Sequence, residues 1–125
     1  MSRVPRGSAG RPAARHLALG AAGEDLAAAW YVGHGYDVVD RNWRCREGEL
    51  DLIVSDGRTI VFCEVKTRSS LAFGSPFEAV DRDKRRRIRA LAARWMEGSL
   101  RRPRQVRFDV VGVLDGEVEV IEGAF

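Results

Sequence analysis

The chain has 125 residues, enough for one domain, and 45% of them are hydrophobic while 31% are charged. This composition excludes a largely disordered chain, and two cysteines are too few for a disulfide framework. No apolar run approaches the roughly 20 residues that span a bilayer, so we expect a cytoplasmic protein that has no membrane partner.

The net charge is +3, but the charges are unevenly distributed along the chain. Residues 1–15 carry four arginines and no acids, which predicts a flexible basic arm in front of a single domain over residues 16–125. Residues 82–108 carry eleven basic and two acidic groups. A block this basic is typical of a protein that binds a polyanion, although a solvated helix face in an arginine-rich chain would look the same.

The hydrophobic periodicity predicts helices and strands in a defined order. In chain order they are a helix over residues 16–33, strands over 36–43, 48–55 and 58–67, a helix over 75–97, and strands over 106–114 and 117–121. The order α-β-β-β-α-β, with one further strand, predicts an α/β fold with a mixed central sheet flanked by helices. A helical crossover after the third strand should bring the fourth strand in parallel to it.

Each predicted helix carries an apolar stripe that we expect to face the sheet. In the first helix the stripe is Leu19, Leu26 and Trp30, filled out by alanines, and in the second it is Phe77, Val80, Lys84, Ile88, Leu91 and Trp95. The second helix also has a start signal, because Ser75 can cap it and Glu78 can complete a capping box. Lys84 interrupts an otherwise apolar stripe.

The two central strands form a predicted hairpin, and its turn pair Asp56-Gly57 fixes a register. With these two residues as the loop, residue 51 faces residue 62 and residue 49 faces residue 64. One face then carries three carboxylates and a lysine beyond an apolar end, namely Glu49, Asp51, Glu64 and Lys66. The other face is apolar throughout and comprises Leu50, Leu52, Val54, Val61, Cys63 and Val65. Asp51 and Glu64 become diagonal neighbours, with backbones roughly 7–8 Å apart.

Two carboxylates at that separation can converge on one cation, and Mg²⁺ prefers oxygen ligands while it keeps several waters. A divalent cation lowers the pKa of its bound water and stabilises the charge that develops in phosphoryl transfer. Lys66 can neutralise part of this cluster or position a water. The set suits phosphodiester hydrolysis, whereas ordinary cross-strand ion pairs on a solvent-facing hairpin are the plainer interpretation. The apolar opposite face favours a cleft at the edge of a two-sided core.

Asp51, followed by Glu64-Val65-Lys66 on the next strand, resembles the signature of the PD-(D/E)xK nuclease superfamily. The wider chain is similar to the YraN-like family of small bacterial proteins, which are described as endonuclease-related and resemble archaeal Holliday junction resolvases. The matching stretches lie between about residues 20 and 112 and read GEDLAAAWY, GYDVVDRNWRC, GELDLIV, IVFCEVKTR and RFDVV, with a helix start from Ala79-Val80 to Lys84. GELDLI followed at this distance by EVKTR is specific in combination, whereas an isolated ExK is weak.

The resemblance implies a restriction-endonuclease-like fold and a set of site residues. Asp51, Glu64 and the backbone carbonyl of Val65 would hold the metal ion, Mg²⁺ or Mn²⁺. Lys66 would position or activate the water. Glu24, on the first helix, matches the acidic residue that completes the resolvase site, and its alternative is a plain helix-surface glutamate.

The resemblance also implies an outer acidic residue and contacts with DNA. Glu49 belongs to the GE-D pattern of the family and would act from outside the coordination sphere. Lys84 matches a helix from which basic groups reach phosphate in related nucleases, and its alternative is a lysine that snorkels over the core edge. We expect further contacts from the neighbouring arginines Arg68, Arg82, Arg85 and Arg86. A homodimer is an expectation by analogy, because resolvase-like proteins are often dimers.

These observations favour a metal-dependent endonuclease that acts on structured or branched DNA. A second hypothesis, motivated by the basic block, is a non-catalytic nucleic-acid-binding module of a repair or recombination complex. A third is an interaction protein whose charges are structural. Metal titration and the salt dependence of DNA binding discriminate among the three.

Overall fold

The computed structural model describes residues 12–68 and 80–125. Its elements are α1 Pro12–Gly33, β1 Asp37–Cys45, β2 Gly48–Ser55, β3 Thr59–Arg68, α2 Arg82–Glu97, β4 Gln105–Leu114 and β5 Glu117–Ile121. This order confirms the predicted one, including the further strand. Helix α1 begins four residues before the predicted start, and residues 1–11 of the predicted basic arm lie outside the described residues.

The five strands form one sheet in the order β1-β2-β3-β4-β5. β3 and β4 are parallel, and the other neighbouring pairs are antiparallel. The parallel pair follows from the helical crossover, because α2 carries the chain back to the starting edge of β3 before β4 begins. The predicted α/β class with a mixed sheet is therefore confirmed, and this architecture is compatible with a restriction-endonuclease-like core.

The sheet is covered on both faces, so the protein has two core layers. On one face α2 contributes Ile88, Leu91 and Trp95 to a cluster that includes Ile53 and Phe62. On the other face α1 packs against a cluster built on the apolar residues Leu52, Val54, Val61, Cys63, Val111 and Val113. The central strands are thus buried from both sides, as their near-continuous apolar runs require.

The predicted inward stripe of α1 is wrong at Leu26, and the side chain of Leu19 lies outside the described part of the chain. Leu26 is 39% exposed, whereas Ala27, Ala28 and Tyr31 are the buried residues of this helix. Trp30 only partly packs against the same cluster. The small side chains of the alanines let α1 pack closely against the sheet, and Tyr31 fills the remaining space. The face with the largest apolar side chains is therefore not the one that contacts the sheet.

Helix α2 begins later than predicted. Asp81 has extended backbone geometry and caps the helix, because its side chain accepts a hydrogen bond from the Lys84 N–H at 2.9 Å. A helix that runs without interruption from Ser75 to Glu97 is therefore wrong, and the predicted capping residues Ser75 and Glu78 lie outside the described residues. Of the predicted inward stripe, Val80, Ile88, Leu91 and Trp95 are buried.

The predicted register of the β2–β3 hairpin is wrong by two residues. Ser55 pairs with Ile60 and Ile53 pairs with Phe62, because the loop is longer than the two-residue turn. Asp56 Oδ1 accepts hydrogen bonds from the N–H groups of Arg58 and Thr59 at 2.9 and 2.8 Å, which folds both residues into the loop. A shift of two preserves the alternation of faces.

A second difference lies at the opposite end of β2. Leu50 packs in the α2 layer, whereas Leu52 packs in the α1 layer, although both were predicted on one face. The strand pairs Arg41↔Leu52 and Trp43↔Leu50 bracket a local irregularity in which Asn42 has a φ of 53°. The backbone of β2 therefore rotates at Asp51, which lies between the two leucines.

Candidate active site

The site is built where β2 and β3 separate. Their paired register ends at Leu52↔Cys63, and continued by one residue it would put Asp51 opposite Glu64. The strands instead part there, and the carboxylate of Asp51 enters the gap. Its Oδ2 accepts a hydrogen bond from the Val65 N–H at 2.9 Å. One side chain thus replaces the ladder bond that the separated strands lose.

Glu64 lies on the α2 side of the sheet and is only 5% exposed. Its Oε2 is 3.2 Å from Lys66 Nζ and 3.0 Å from Lys84 Nζ. Lys66 comes from the same strand, two residues later, and Lys84 comes from the first turn of α2. The lysine that interrupts the apolar stripe of α2 is therefore there because it meets a buried carboxylate, which needs a partner in a low-dielectric region.

The electrostatic balance of the cluster is uneven. The pKa of Asp51 is raised to about 8. Burial is the largest cause and the charge of Glu64 contributes in the same direction, while the hydrogen bond from the Val65 N–H opposes the rise. Burial by itself would lower the pKa of Lys84, but the charge and hydrogen bond of Glu64 raise it on balance. The two lysines therefore serve Glu64, and Asp51 is left with a carboxylate that has one backbone donor and no paired cation among the described residues.

Helix α1 adds a third carboxylate to this electrostatic field. Glu24 is half-buried, and burial raises its pKa, while the Asn42 side chain and Arg41 oppose the rise. Its charge acts on Asp51. The helix comes close because residue 23 is glycine: a Cβ there would collide with the side chain of Thr67 on β3.

Glu49 lies at the rim of the cluster. Its side chain is 35% exposed, and Oε2 is 3.3 Å from Arg44 Nε. Its charge contributes to the raised pKa values of Asp51 and Glu24. The structure thus brings together the predicted residues Glu24, Glu49, Asp51, Glu64 and Lys66 at one end of the sheet, with Glu49 outermost.

The donor chemistry of this end fits a hard divalent cation. Asp51 and Glu64 supply carboxylate oxygens, and Val65, which directly follows Glu64 in sequence, supplies a backbone carbonyl. Within residues 12–68 and 80–125, no three His, Cys, Asp or Glu side chains converge closely enough to hold a metal by themselves. Mg²⁺ commonly takes one or two carboxylates and completes its octahedron with water. The raised pKa of Asp51 indicates that its negative charge is unfavourable at this position, and a bound cation would offset that charge.

The predicted nucleic-acid-binding residues differ in the contacts that they make. Lys84 points into the cluster, as described above. Arg68 donates to the Thr67 carbonyl at 3.1 Å. Arg85 donates to the Val80 carbonyl at 3.1 Å, and its guanidinium lies 5.7 Å from the Phe125 ring centre. Arg86 is exposed and is 3.6 Å from Asp83. Arg82 is exposed. Of these residues, Lys84 is thus the one that contacts the carboxylate cluster, while Arg82, Arg85 and Arg86 are exposed on α2.

Two groups of residues near the site were missed by the sequence reasoning. The Asn42 side chain helps to keep the pKa of Glu24 from rising further, and its positive φ is a property that no side-chain pattern shows. The other is a buried network below the α1 layer. Asp109, fully buried, accepts hydrogen bonds from Tyr31 Oη at 2.6 Å and from Arg107 at 2.9 and 3.0 Å. An acid inside the apolar run of β4 was the available signal.

The fold and the site together define an α/β protein with a carboxylate–lysine cluster at the open end of its central hairpin. Comparison with known proteins assigns it further. Residues 23–113 match the family described as "Uncharacterised protein family UPF0102". The chain belongs to this family, the YraN-like group that the sequence motifs resembled.

Individual relatives cover most of the chain. A UPF0102 protein of Beutenbergia cavernae is 59% identical over 97 residues, which are 78% of this chain and 82% of the relative. One of Rhodococcus jostii is 51% identical over 117 residues, 90% of this chain and 99% of the relative. One of Frankia casuarinae is 53% identical over 113 residues, which are 86% of this chain and 96% of the relative. Their names give the family and no activity.

The described part of the chain contains no helix with the length and apolarity needed to cross a membrane.

Proposed function

We propose that this protein is a Mg²⁺- or Mn²⁺-dependent endonuclease that hydrolyses phosphodiester bonds in structured or branched DNA in the cytoplasm. One observation carries the proposal. Two carboxylates from adjacent strands, the half-buried Asp51 and the buried Glu64, lie where the strands separate, and Glu64 contacts Lys66 of its own strand. Family membership supports the nuclease relationship but names no reaction.

Each residue of the cluster has a task in this proposal. Asp51, Glu64 and the carbonyl of Val65 would hold the cation, which when bound supplies an acidic water and stabilises negative charge on the phosphate. Lys66 is anchored at 3.2 Å from Glu64 and is 21% exposed, so its ammonium can reach a water or a phosphate oxygen at the mouth of the cleft. Holding that group in place before the substrate arrives removes an entropic cost from the reaction.

The outer groups tune this centre. Lys84 neutralises Glu64 from the α2 side, and it can exchange that contact for a phosphate oxygen when a cation takes over Glu64. Glu24 adds negative charge from α1, which strengthens the attraction for a cation. Glu49 extends the acidic rim and holds Arg44. A homodimer would present two such clefts to a branched substrate.

The test is a cleavage assay on a panel of junction, flap, single-stranded and duplex DNAs with Mg²⁺ or Mn²⁺. Asp51→Asn, Glu64→Gln and Lys66→Met should each abolish cutting. Glu119→Gln is the matched control, because it makes the same chemical change on the exposed strand β5 and should cut like wild type. Activity that survives in all three cluster variants would refute the mechanism.

A second function is favoured by one specific observation. Glu64 already has two lysine partners, so its charge is balanced by protein groups alone. A module that binds nucleic acid without cutting needs no more than this balance together with the exposed arginines. It predicts salt-dependent DNA binding that is insensitive to chelator, with no cleavage of any substrate in the panel.

A further inference from the structure

Four arginines gather at the end of the sheet opposite to the acidic cluster. Arg58 lies in the β2–β3 loop, and Arg101, Arg102 and Arg104 lie in the segment that joins α2 to β4. All four are exposed. We call them the far-end arginines. The sequence alone did not group them, because Arg58 stands more than forty positions before the other three.

The backbone at this end is fixed by hydrogen bonds. The N–H groups of Arg104 and Gln105 both donate to the Arg58 carbonyl, at 2.8 and 3.2 Å, which ties the two loops together. Ser99 organises the start of the segment, since its Oγ accepts from the Arg101 N–H at 3.1 Å. The four side chains therefore project from a rigid base, and less conformational entropy is lost when they bind a ligand.

A shallow cavity of about 170 Å³ lies between the loops. It is lined by Ser55, Gly57, Ile60, Arg101, Arg102 and Pro103. Arg102 Nη1 donates to the carbonyls of Ser99 and Arg101 at 3.1 and 2.9 Å, which holds that guanidinium in place. Its remaining N–H groups and those of Arg101 offer donors to an anion that enters the open cavity from solvent.

The charge at this end is not consumed by ion pairs. Among the described residues, none of the far-end arginines lies within salt-bridge distance of a carboxylate. Asp56 is close to Arg58, but its oxygen is used by backbone N–H groups of the turn. Asp37, opposite Ser55, is the other acid that the strand register brings here. Four arginines against two acids leave a positive surface.

The separation of this surface from the cleft matches a nucleic acid. Thr59 and Glu64 are five residues apart on β3, which is about 17 Å along an extended strand. Since base pairs are stacked at about 3.4 Å, this length corresponds to about five base pairs of one duplex. The exposed face of α2, which carries Arg86 and Arg89, lies between the two ends.

We infer that the far-end arginines are a second backbone-contact site for nucleic acid, engaging phosphates roughly five base pairs or more away from the acidic cluster. This inference rests on the proposed function, since it assumes that the cleft acts on the same polymer. A second contact at that distance holds one arm of the substrate and fixes its register relative to the cleft, as phosphate contacts do without reading sequence.

The experiment measures DNA affinity of the full chain against salt concentration, with a labelled duplex of about 20 base pairs in chelator so that cutting does not interfere. The variant is the double substitution Arg101→Gln and Arg102→Gln. If each side chain neutralises one phosphate, the salt slope should fall by about 1.8, and affinity near 0.1 M salt should drop about 60-fold when the electrostatic contribution vanishes near 1 M. Arg101→Lys with Arg102→Lys should restore most of the slope.

The matched control removes the same charge elsewhere: Arg46→Gln with Arg87→Gln alters the β1–β2 turn and helix α2, at two exposed arginines. A slope that falls equally in the control pair overturns the inference, because binding would then be diffuse. An unchanged slope in the far-end variant, while wild type binds and cuts, overturns the inference and leaves the proposed function intact. The inference is also overturned if wild type cuts DNA but its DNA affinity does not depend on salt concentration. Absence of both binding and cutting refutes the inference and the proposed function together.

Discussion

Replacing Asp51 by Asn should make the protein more stable at alkaline pH, although it removes a central residue of the proposed site. The carboxylate is held in the gap between β2 and β3, where burial and the charge of Glu64 raise its pKa from 3.8 to about 8. The fold therefore prefers the protonated form, and ionising the group costs stability. Asn keeps the acceptor oxygen for the Val65 N–H and carries no charge.

The sign and size of the effect follow from linkage. A folded-state pKa above the unfolded value means that the unfolded chain ionises first, so wild-type stability declines as pH rises from about 4 to about 8. Since each tenfold change in proton affinity is worth about 1.4 kcal/mol, the shift bounds the loss at about 6 kcal/mol. Lys66 and Lys84 offset part of the field of Glu64, and we expect a gain of about 1–3 kcal/mol for Asp51→Asn at pH 8.5.

Thermal unfolding followed by circular dichroism between pH 4 and 9, in chelator, measures this difference. Asp51→Asn should unfold about 3–10 °C higher than wild type at the alkaline end, and the two should converge at the acid end. Added Mg²⁺ should raise the midpoint of wild type and not of the variant. Asp115→Asn is the matched control, because Asp115 is exposed and has a φ of 52° that Asn also tolerates. A gain that does not change with pH would refute the reasoning.

Two further predictions concern the packing behind the site. Tyr31→Phe removes one of the hydrogen bonds to the fully buried carboxylate of Asp109, so urea denaturation should show a loss of about 1.5–3 kcal/mol; a change below the measurement error would contradict it. Gly23→Ala places a Cβ against the side chain of Thr67, and we expect a loss of about 1–3 kcal/mol together with lower cleavage activity. Gly20→Ala is the control on the same helix, where the added Cβ meets nothing within 4 Å, and equal losses in both variants would contradict the packing argument.

The sheet and the meeting of Asp51 with Glu64 could be predicted from the sequence. Both depend on the alternation of side chains between the two faces of a strand, which a shift of two residues does not change. The turn of the hairpin proved longer than two residues, since Asp56 caps two N–H groups. The resulting shift of two positions left Asp51 and Glu64 on neighbouring strands at the same end. Near the turn the hydrophobic period sets which residues share a face more securely than it sets which residues are directly opposite, but it fails at Leu50 and Leu52, which pack on opposite faces.

The orientation of α1 and the rotation of β2 could not be predicted, because they depend on contacts between residues that are distant in sequence. The orientation of α1 is decided by Tyr31, whose hydroxyl bonds to Asp109 across 78 positions, and an alanine-rich helix gives no stripe strong enough to reveal it. The rotation of β2 between Leu50 and Leu52 accompanies the positive φ of Asn42 on the adjacent strand. Such a backbone conformation is rare for residues other than glycine, and the hydrophobic pattern does not show it.

The separation of β2 and β3 accounts both for the stability that the site costs and for the affinity for a cation that we propose. Strands that stayed paired beyond Leu52 and Cys63 would satisfy their own backbone groups and leave no opening. By separating, they lose ladder bonds, admit the carboxylate of Asp51 to the Val65 N–H, and place it beside Glu64 at a depth where neither charge is well solvated. A cation placed there would relieve that repulsion, so the feature that destabilises this end of the hairpin is the one that would give it affinity for a metal. For this reason we expect stability and activity to respond in opposite directions to Asp51→Asn.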